Sequence, residues 1–251
     1  MKDKLVSIIT PVFNSEGFIH QTIESIQCQT YTNWELILID DCSIDNSISI
    51  IKKYSENDSR IRYFINETNS GAAISRNIGL NKSAGRFIAF IDSDDIWACK
   101  KLETQVNFMI THNYSISFTS YDLIDYKGAP LNKIINSVKE IDYNGYLKNT
   151  IIGMSTSMID RSRIELFEFL NIRTRQDTYL WITLLKRGLK AYGINSVLVS
   201  YRVRNDSISS NKLKAAKQVW FLYYDLEKLG FIRSIFYFLF YVYNAFKKRI
   251  L

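Results

Sequence analysis

Phe87-Ile88-Ala89-Phe90-Ile91-Asp92-Ser93-Asp94-Asp95 decides the reading of this 251-residue chain. The apolar run suits a strand buried on both faces, and three carboxylates crowd its exit. In open α/β sheets, ligands bind beyond the carboxyl ends of the strands. Hard divalent cations of the magnesium type take one or two carboxylates and complete their shell with substrate phosphates. A strand end with clustered acids therefore suits a cation held against a diphosphate. The same residues could simply form a turn and a helix cap, because Asp and Ser bond nearby backbone N–H groups. An EF-hand loop is excluded: Glu103 stands twelfth counted from Asp92, but the sixth position, where that loop needs Gly, is Trp97.

Outward from this stretch, strands and helices alternate. Residues 5–10 read as a first strand stopped by Pro11, and residues 16–29 have helical apolar spacing. A second strand covers 35–40, and Asp45 is placed to cap a helix running to about Ser55. Residues 61–65 read as a strand, 72–81 as a helix, 86–91 as a strand and 100–112 as a helix. This order predicts an α/β fold, a mostly parallel central sheet with helices on both faces. Further on, strands are expected at 115–125 and 156–159, with a polar stretch to about Asn149. A helix follows at 177–186, then extended chain at 189–203.

Composition narrows the options. With 47% hydrophobic residues, 2 prolines and 10 glycines, the chain is globular and lacks long flexible linkers. Cys28, Cys42 and Cys99 show no metal-ligand spacing and read as ordinary buried thiols of a reducing compartment. Met1-Lys2-Asp3-Lys4 leads straight into a strand-like run, so no signal peptide is expected. The net charge of +7 is local: residues 202–251 hold ten Lys/Arg against three Asp/Glu, while residues 1–201 hold 22 of each sign. Nucleic-acid binding by the whole protein is disfavoured on that account.

Two more segments carry candidate chemistry. Asp40-Asp41 ends the second strand, and Thr10-Pro11-Val12-Phe13-Asn14 follows the first, so two neighbouring strand ends have polar tips. Such a crevice suits a nucleoside, although a strand-end turn would also account for the acids. Asn69-Ser70-Gly71-Ala72-Ala73-Ile74-Ser75-Arg76-Asn77 opens a helix with small residues, and Arg76 one turn in could pair with a phosphate or with a carboxylate of the site. It is neither a dinucleotide fingerprint nor a P-loop.

Together, Ile9-Thr10-Pro11-Val12-Phe13-Asn14, Ile39-Asp40-Asp41-Cys42-Ser43-Ile44-Asp45, Ser75-Arg76-Asn77-Ile78-Gly79 and Phe90-Ile91-Asp92-Ser93-Asp94-Asp95 closely resemble family 2 glycosyltransferases in order and spacing. The resemblance implies a GT-A fold, a nucleotide-diphosphate-sugar donor, Mn2+ or Mg2+ as cofactor, and inversion at the anomeric carbon. It puts Thr10, Pro11, Asn14 and Asp41 at the nucleotide and Arg76 beside the diphosphate. Asp92 becomes the first acid of an Asp-x-Asp, Asp94 meets ribose or metal, and Asp95 meets the metal. The family's Glu-Asp pair before an aromatic helix is matched by Gln176-Asp177, with Gln in place of Glu. Asp177 then takes the catalytic-base position, with Glu165 and Glu168 as weaker candidates and a plain helix cap as the competing role. The segment 201–209 resembles a loop that folds over donor phosphates, which nominates Arg202 and Arg204 for the leaving diphosphate.

These expectations divide the chain into a transferase domain at 1–210, with a nucleotide half (1–100) and an acceptor half (101–210), and a basic-aromatic tail at 211–251. The tail's uninterrupted apolar run is shorter than a membrane span needs. Its Phe and Tyr residues with flanking Lys/Arg suit an interfacial helix on an anionic surface. Packing on the catalytic domain or on a second subunit is the alternative. The resulting expectation is a metal-dependent inverting transferase in bacterial surface-polysaccharide or O-antigen synthesis. It would use a UDP-hexose or UDP-N-acetylhexosamine and a lipid-linked acceptor, peripherally at the cytoplasmic face of the cell membrane. A nucleotidyltransferase would instead show a Gly-rich basic loop after the first strand, and a catalytically inactive sugar-nucleotide-binding scaffold is the third option.

Overall fold

The computed structural model describes residues 4–204 and 212–250. Its first half runs β1 (Val6–Val12), α1 (Ile19–Gln27), β2 (Trp34–Asp40), α2 (Ser47–Asn57), β3 (Ile61–Ile65), α3 (Ala72–Lys82) and β4 (Phe87–Phe90). Then come β5 (Ile96–Trp97), α4 (Lys101–His112), β6 (Ile116–Ile124), β7 (Pro130–Ile135), β8 (Glu140–Ile141) and α5 (Tyr143–Lys148). β9 (Met158–Asp160), α6 (Gln176–Lys186) and β10 (Ala191–Arg202) complete the body. α7 (Lys212–Phe221) and α8 (Phe231–Ile250) close the chain.

The strands form one sheet in the order β3-β2-β1-β4-β9-β6-β10-β5, with β7 on β6 and β8 on β10. β3, β2, β1 and β4 are parallel, as are β6 and β10. The short β9 joins these two blocks antiparallel to both β4 and β6. Side chains alternate across the sheet, so each face has its own core. Val6, Ile8 and Val12 of β1 pack with α1, α2 and α4, whereas Ile9 joins Ile88, Phe90 and the α6 residues Leu180, Trp181 and Leu184.

Three expectations change. Pro11 does not stop the first strand, which continues to Val12. Ile9 O accepts from Ile91 N, so odd-numbered residues of β1 turn their backbone groups toward β4. The β1–β4 ladder ends at Ile9–Phe90, just where Pro11 has no N–H to carry it further, while β1 stays paired to β2 through Val12. The polar stretch before Asn149 folds into β7 beside β6, β8 beside β10, and α5, whose Tyr146 and Leu147 enter the core. Finally, Cys28 and Cys99 are exposed rather than buried, and all three thiols are free.

Gly79 sets how closely α3 lies on the sheet: a Cβ there would come within 2.4 Å of Ile9 Cγ2. That approach brings Arg76, one turn earlier on α3, over the strand ends. The tail helices also dock on the body. Tyr223 OH donates to Leu147 O (2.6 Å), Tyr237 OH to Asn144 Oδ1 (2.7 Å) and Asn244 Nδ2 to Lys148 O (2.9 Å). Glu227 receives Tyr143 OH (2.5 Å) and pairs with Lys186 (2.6 Å). The inner face of the tail thus packs on α5 and α6. The outer face of α8 leaves Ile232, Ile235, Phe236, Leu239, Phe240 and Tyr243 exposed. Among the described residues no helix is long and apolar enough to cross a membrane.

Candidate active site

A cleft of about 640 Å³ opens at the carboxyl ends of β1, β2 and β4. Pro11, Phe13, Asp41, Arg76, Asp92, Ser93 and Asp94 line it from the strand tips and α3. Residues 150–154, Arg175, Gln176 and Asp177 add the α6 side, and Tyr121, Tyr201, Arg204 and the α7 residue Gln218 complete it.

The turn after β4 gives its three acids different surroundings. Asp92 accepts from Arg76 Nη2 at 2.7 Å and keeps about a third of its side chain exposed. Asp94 faces the cleft, 3.5 Å from Arg204 Nη1. Burial, and then the like charge of Asp92, push the Asp94 carboxyl up to about 6, against the pull of Arg204. Asp95 turns away. It is fully buried, with Oδ1 accepting from Arg202 N (3.0 Å) and Oδ2 from Ser155 Oγ (2.5 Å). Burial, and then the charges of Asp94 and Asp92, hold its carboxyl well above the usual carboxylate range. Asp95 pins β4 to β10 and to the turn at Met154–Thr156, with no oxygen presented to the cleft, which is not the placement of a metal ligand.

The donor-side residues also separate. Asp41 lines the cleft, but its carboxylate accepts from Asn66 Nδ2 (2.7 Å), Ser70 N (2.9 Å) and Gly71 N (2.7 Å). It shapes the loop that opens α3 and leaves about one acceptor position free. Asn14, in a left-handed conformation (φ 47°), accepts from Ile44 N at 2.9 Å and ties the β1 and β2 exit loops together outside the cleft lining. Thr10 shares the α1-side face with Ile8 and Val12, is wholly buried, and its Oγ1 has no hydrogen-bond partner among the described residues. It therefore sits under the sheet rather than at a nucleotide base.

Arg202 is likewise a clamp. It is buried, donating from Nε to Asp94 O (2.8 Å), from Nη1 to Asp125 O and Tyr126 O, and from Nη2 to Gln21 Oε1 (2.6 Å). Four of its five N–H donors are committed to protein, and it does not line the cleft. Arg76 and Arg204 are the cations that reach the cleft from this side. Arg76 is nearly buried, and its Nε and Nη1 lack hydrogen-bond partners among the described residues. An anion in the cleft would satisfy them. The rest of the phosphate-covering segment, 205–209, lies outside the described residues.

Asp177 lies in the first turn of α6 and lines the cleft. The residue at the cap is Arg175, with a left-handed backbone (φ 61°), so Asp177 is not the helix cap. Its charge acts, after burial itself, to push the neighbouring Tyr146 hydroxyl well above its ordinary value. Gln176, at the position where the resemblance places Glu, has a buried Oε1 with no hydrogen-bond partner among the described residues. Glu165 and Glu168 do not line the cleft. Sequence reasoning missed Tyr121, Tyr146, Tyr201, Arg175 and Gln218, which are brought in by β6, α5, β10, α6 and α7. Ser155, bridging Asp92 N and Asp95, carried no local signal either.

The site stands on an α/β sheet with acids and an arginine at its strand tips, and the profile of "Glycosyl transferase family 2" matches residues 7–179. The chain belongs to that family and is a glycosyltransferase. It is 46% identical over 246 residues to the putative teichuronic acid biosynthesis glycosyltransferase TuaG of Bacillus subtilis, covering 98% of each chain. It is 40% identical over 249 residues to WfgD of Escherichia coli, a UDP-Glc:alpha-D-GlcNAc-diphosphoundecaprenol beta-1,3-glucosyltransferase, covering 99% of this chain and 96% of that one. Among solved structures, S. aureus TarS 1–349 in complex with UDP-GlcNAc superposes with a TM-score of 0.68 at 19% identity, over 88% of this chain and 67% of that one. Mannosyltransferase PcManGT of Pyrobaculum calidifontis, in complex with GDP-Man and Mn2+, gives 0.67 at 16% identity, over 86% and 61%. The GT-A fold expected from the sequence is the fold observed.

Proposed function

We propose that this protein is a metal-dependent inverting glycosyltransferase that moves a hexose from a UDP-sugar to a lipid-diphosphate-linked saccharide during surface-polysaccharide assembly. The observation that carries it is the cleft itself: two part-exposed carboxylates, Asp92 and Asp94, share one pocket with a buried, under-bonded Arg76 and with Asp177. The donor and acceptor classes are those of WfgD, whose sequence matches 99% of this chain.

A Mn2+ or Mg2+ ion fits the residues present. Asp94 and Asp92 offer hard oxygen donors; burial first, and then the charge of Asp92, raise the Asp94 carboxyl, and a cation there would relieve that repulsion. Two carboxylates suffice when substrate phosphates supply further ligands. When bound there, the ion would neutralise charge on the diphosphate as it departs. Asp95 serves as the buried support of this turn instead of as a ligand.

The protein's own residues supply the rest. Asp177 accepts the acceptor hydroxyl proton as that oxygen attacks the anomeric carbon from the face opposite the leaving group. The bond between the anomeric carbon and the diphosphate oxygen breaks, and its electron pair leaves with the nucleotide. Arg76 and Arg204 stabilise the charge that grows on the diphosphate. Residues 1–210 form the transferase body in this reading. The 211–251 tail rests its apolar outer face on an anionic membrane, where a lipid-linked acceptor is found.

The test is calorimetry of uridine diphosphate with and without Mn2+, followed by released-nucleotide assays on a panel of sugar nucleotides. Tight binding only with the cation, lost in Asp94→Asn, is the expected result. Metal-independent binding, or full binding by Asp94→Asn, would remove the proposed cation site.

A further inference from the structure

We propose that Arg175 binds the diphosphate of the lipid-linked acceptor and so joins the catalytic cleft to the membrane-facing tail. This rests on the transferase reading above and assigns the acceptor's anionic group a residue of its own.

Arg76 and Arg204, the cations on the strand-tip side, are each bonded to an acid of the cleft: Arg76 to Asp92 and Arg204 to Asp94. Arg175 differs. It lines the same cleft from the start of α6, and among the described residues it forms no ion pair. Its guanidinium Nη2 donates to the neutral hydroxyl of Tyr241 on α8, at 3.2 Å. A half-buried guanidinium next to a cleft, bonded only to a neutral group, keeps donors for a bidentate anion.

Its position selects which anion. Arg175 precedes Asp177 by two residues at the start of α6, and Asp177 is the group that must reach the attacking hydroxyl. In an acceptor made of one sugar on a diphosphate, a single ring separates that hydroxyl from the phosphate. The donor diphosphate, by contrast, has Asp92, Asp94 and Arg76 at the strand tips. Tyr241 lies on the body side of α8, and the opposite side of that helix carries the exposed stripe of Ile232, Phe236 and Leu239. A prenyl chain leaving a phosphate held by Arg175 would therefore start beside the helix whose other face suits a bilayer. Gln218 of α7 also lines the cleft, and α8 is joined to it through the hydrogen bond from Arg175 to Tyr241.

The experiment uses the full chain and four probes in calorimetry: farnesyl diphosphate, farnesyl monophosphate, farnesol, and uridine diphosphate with Mn2+. Wild-type protein is expected to bind farnesyl diphosphate well above the monophosphate and farnesol. Arg175→Gln is expected to weaken farnesyl diphosphate at least tenfold, with uridine diphosphate binding unchanged, and Arg175→Lys to recover part of the loss. Flotation on phosphatidylglycerol vesicles is expected to be the same in wild type and Arg175→Gln, which separates an acceptor diphosphate from a lipid headgroup. Equal farnesyl diphosphate affinity in wild type and variant, no binding by wild type, or a loss confined to vesicle flotation would each overturn the assignment. Should Arg175→Gln not fold, Tyr241→Phe removes only the hydroxyl that holds the guanidinium. It is expected to weaken farnesyl diphosphate about threefold, and an unchanged affinity would overturn the assignment. Failure of uridine diphosphate to bind wild-type protein would sink the transferase reading separately, whatever the prenyl probes show.

Discussion

Replacing Asp177 by Asn keeps the side-chain shape and removes the proton acceptor. Turnover should fall about 10²–10⁴-fold, the usual worth of general-base help, with uridine diphosphate affinity unchanged. Single-turnover rates beside calorimetry would read both, and near-normal turnover would remove Asp177 from the role. Asp95 makes the contrasting case. Asp95→Ala strands Arg202 N and Ser155 Oγ in the interior, each at a cost of about 1–3 kcal/mol. The expected result is a lowered melting temperature before any specific loss of metal affinity; an unchanged melt with abolished Mn2+ binding would return Asp95 to the ligand set. Lys101 supplies a pH signature. It is wholly buried, donating to Gln105 Oε1 at 2.6 Å and lying 3.9 Å from the Trp97 ring centre. The ring favours the ammonium, but burial dominates and draws its pKa well below 10.5. Between the folded and unfolded values, the unfolded chain holds one proton more, so stability must rise with pH through that window, up to the unfolded value. Urea unfolding from pH 8 to pH 10 should therefore show wild type gaining on Lys101→Met, by up to about 1.4 kcal/mol per pH unit. Parallel curves would mean that Lys101 stays charged in the core.

At the level of elements, α3 against β1 is the contact on which the cleft depends. Gly79→Ala drives a methyl group to 2.4 Å from Ile9 Cγ2, a branched atom fixed in the core. Overpacking of this kind costs about 1–3 kcal/mol, and here it also tilts the helix that carries Arg76. A drop in melting temperature together with weaker uridine diphosphate binding is expected; destabilisation alone would show that Arg76 keeps its place. This contact also shows what was legible in the sequence. The strands β1, β2 and β4 are buried on both faces, so unbroken apolar runs announced them and the acids marked their exits. What those exits do was not legible. Asp92, Asp94 and Asp95 are interchangeable as letters, and a turn closed by Asp95 N on Asp92 O sends the last of them inward. Arg202 and Arg204 look alike in sequence, yet one clamps two loops and the other reaches the cleft. β7 and β8 lie off the main strand path beside β6 and β10, where polar residues face solvent and the apolar signal fades. Tyr146 and Gln218 reach the site only through tertiary packing, which no local pattern encodes.

The whole molecule is lopsided: a near-neutral body carries a basic tail whose two faces are both rich in aromatic residues. One face is spent on the body, through Tyr223, Tyr237 and Asn244. The other leaves Ile232 at 82% and Leu239 at 63% exposure, on one stripe with Phe236 and Tyr243. Cutting the chain before α8 would strip the body as well as the outer stripe, so surface replacement is the cleaner experiment. Ile232→Ser, Ile235→Ser and Leu239→Ser together, which spare Phe236 and its contacts with Lys148 and Tyr237, should leave the inner contacts and the melting temperature intact. Each side chain is worth about 1.5–3 kcal/mol when fully transferred from water, so even partial insertion of three predicts a loss of vesicle affinity of tenfold or more. Basic residues near an anionic surface add about 1 kcal/mol each and are screened by salt. Flotation on phosphatidylglycerol vesicles should therefore weaken for wild type in 0.5 M salt as well as for the triple variant at low salt. On neutral phosphatidylcholine, only the apolar contribution should remain. If the triple variant floats as well as wild type while remaining monomeric in sedimentation, the stripe does not meet lipid. If wild type does not float but sediments as a dimer that the triple variant cannot form, the stripe belongs to a second copy of this chain.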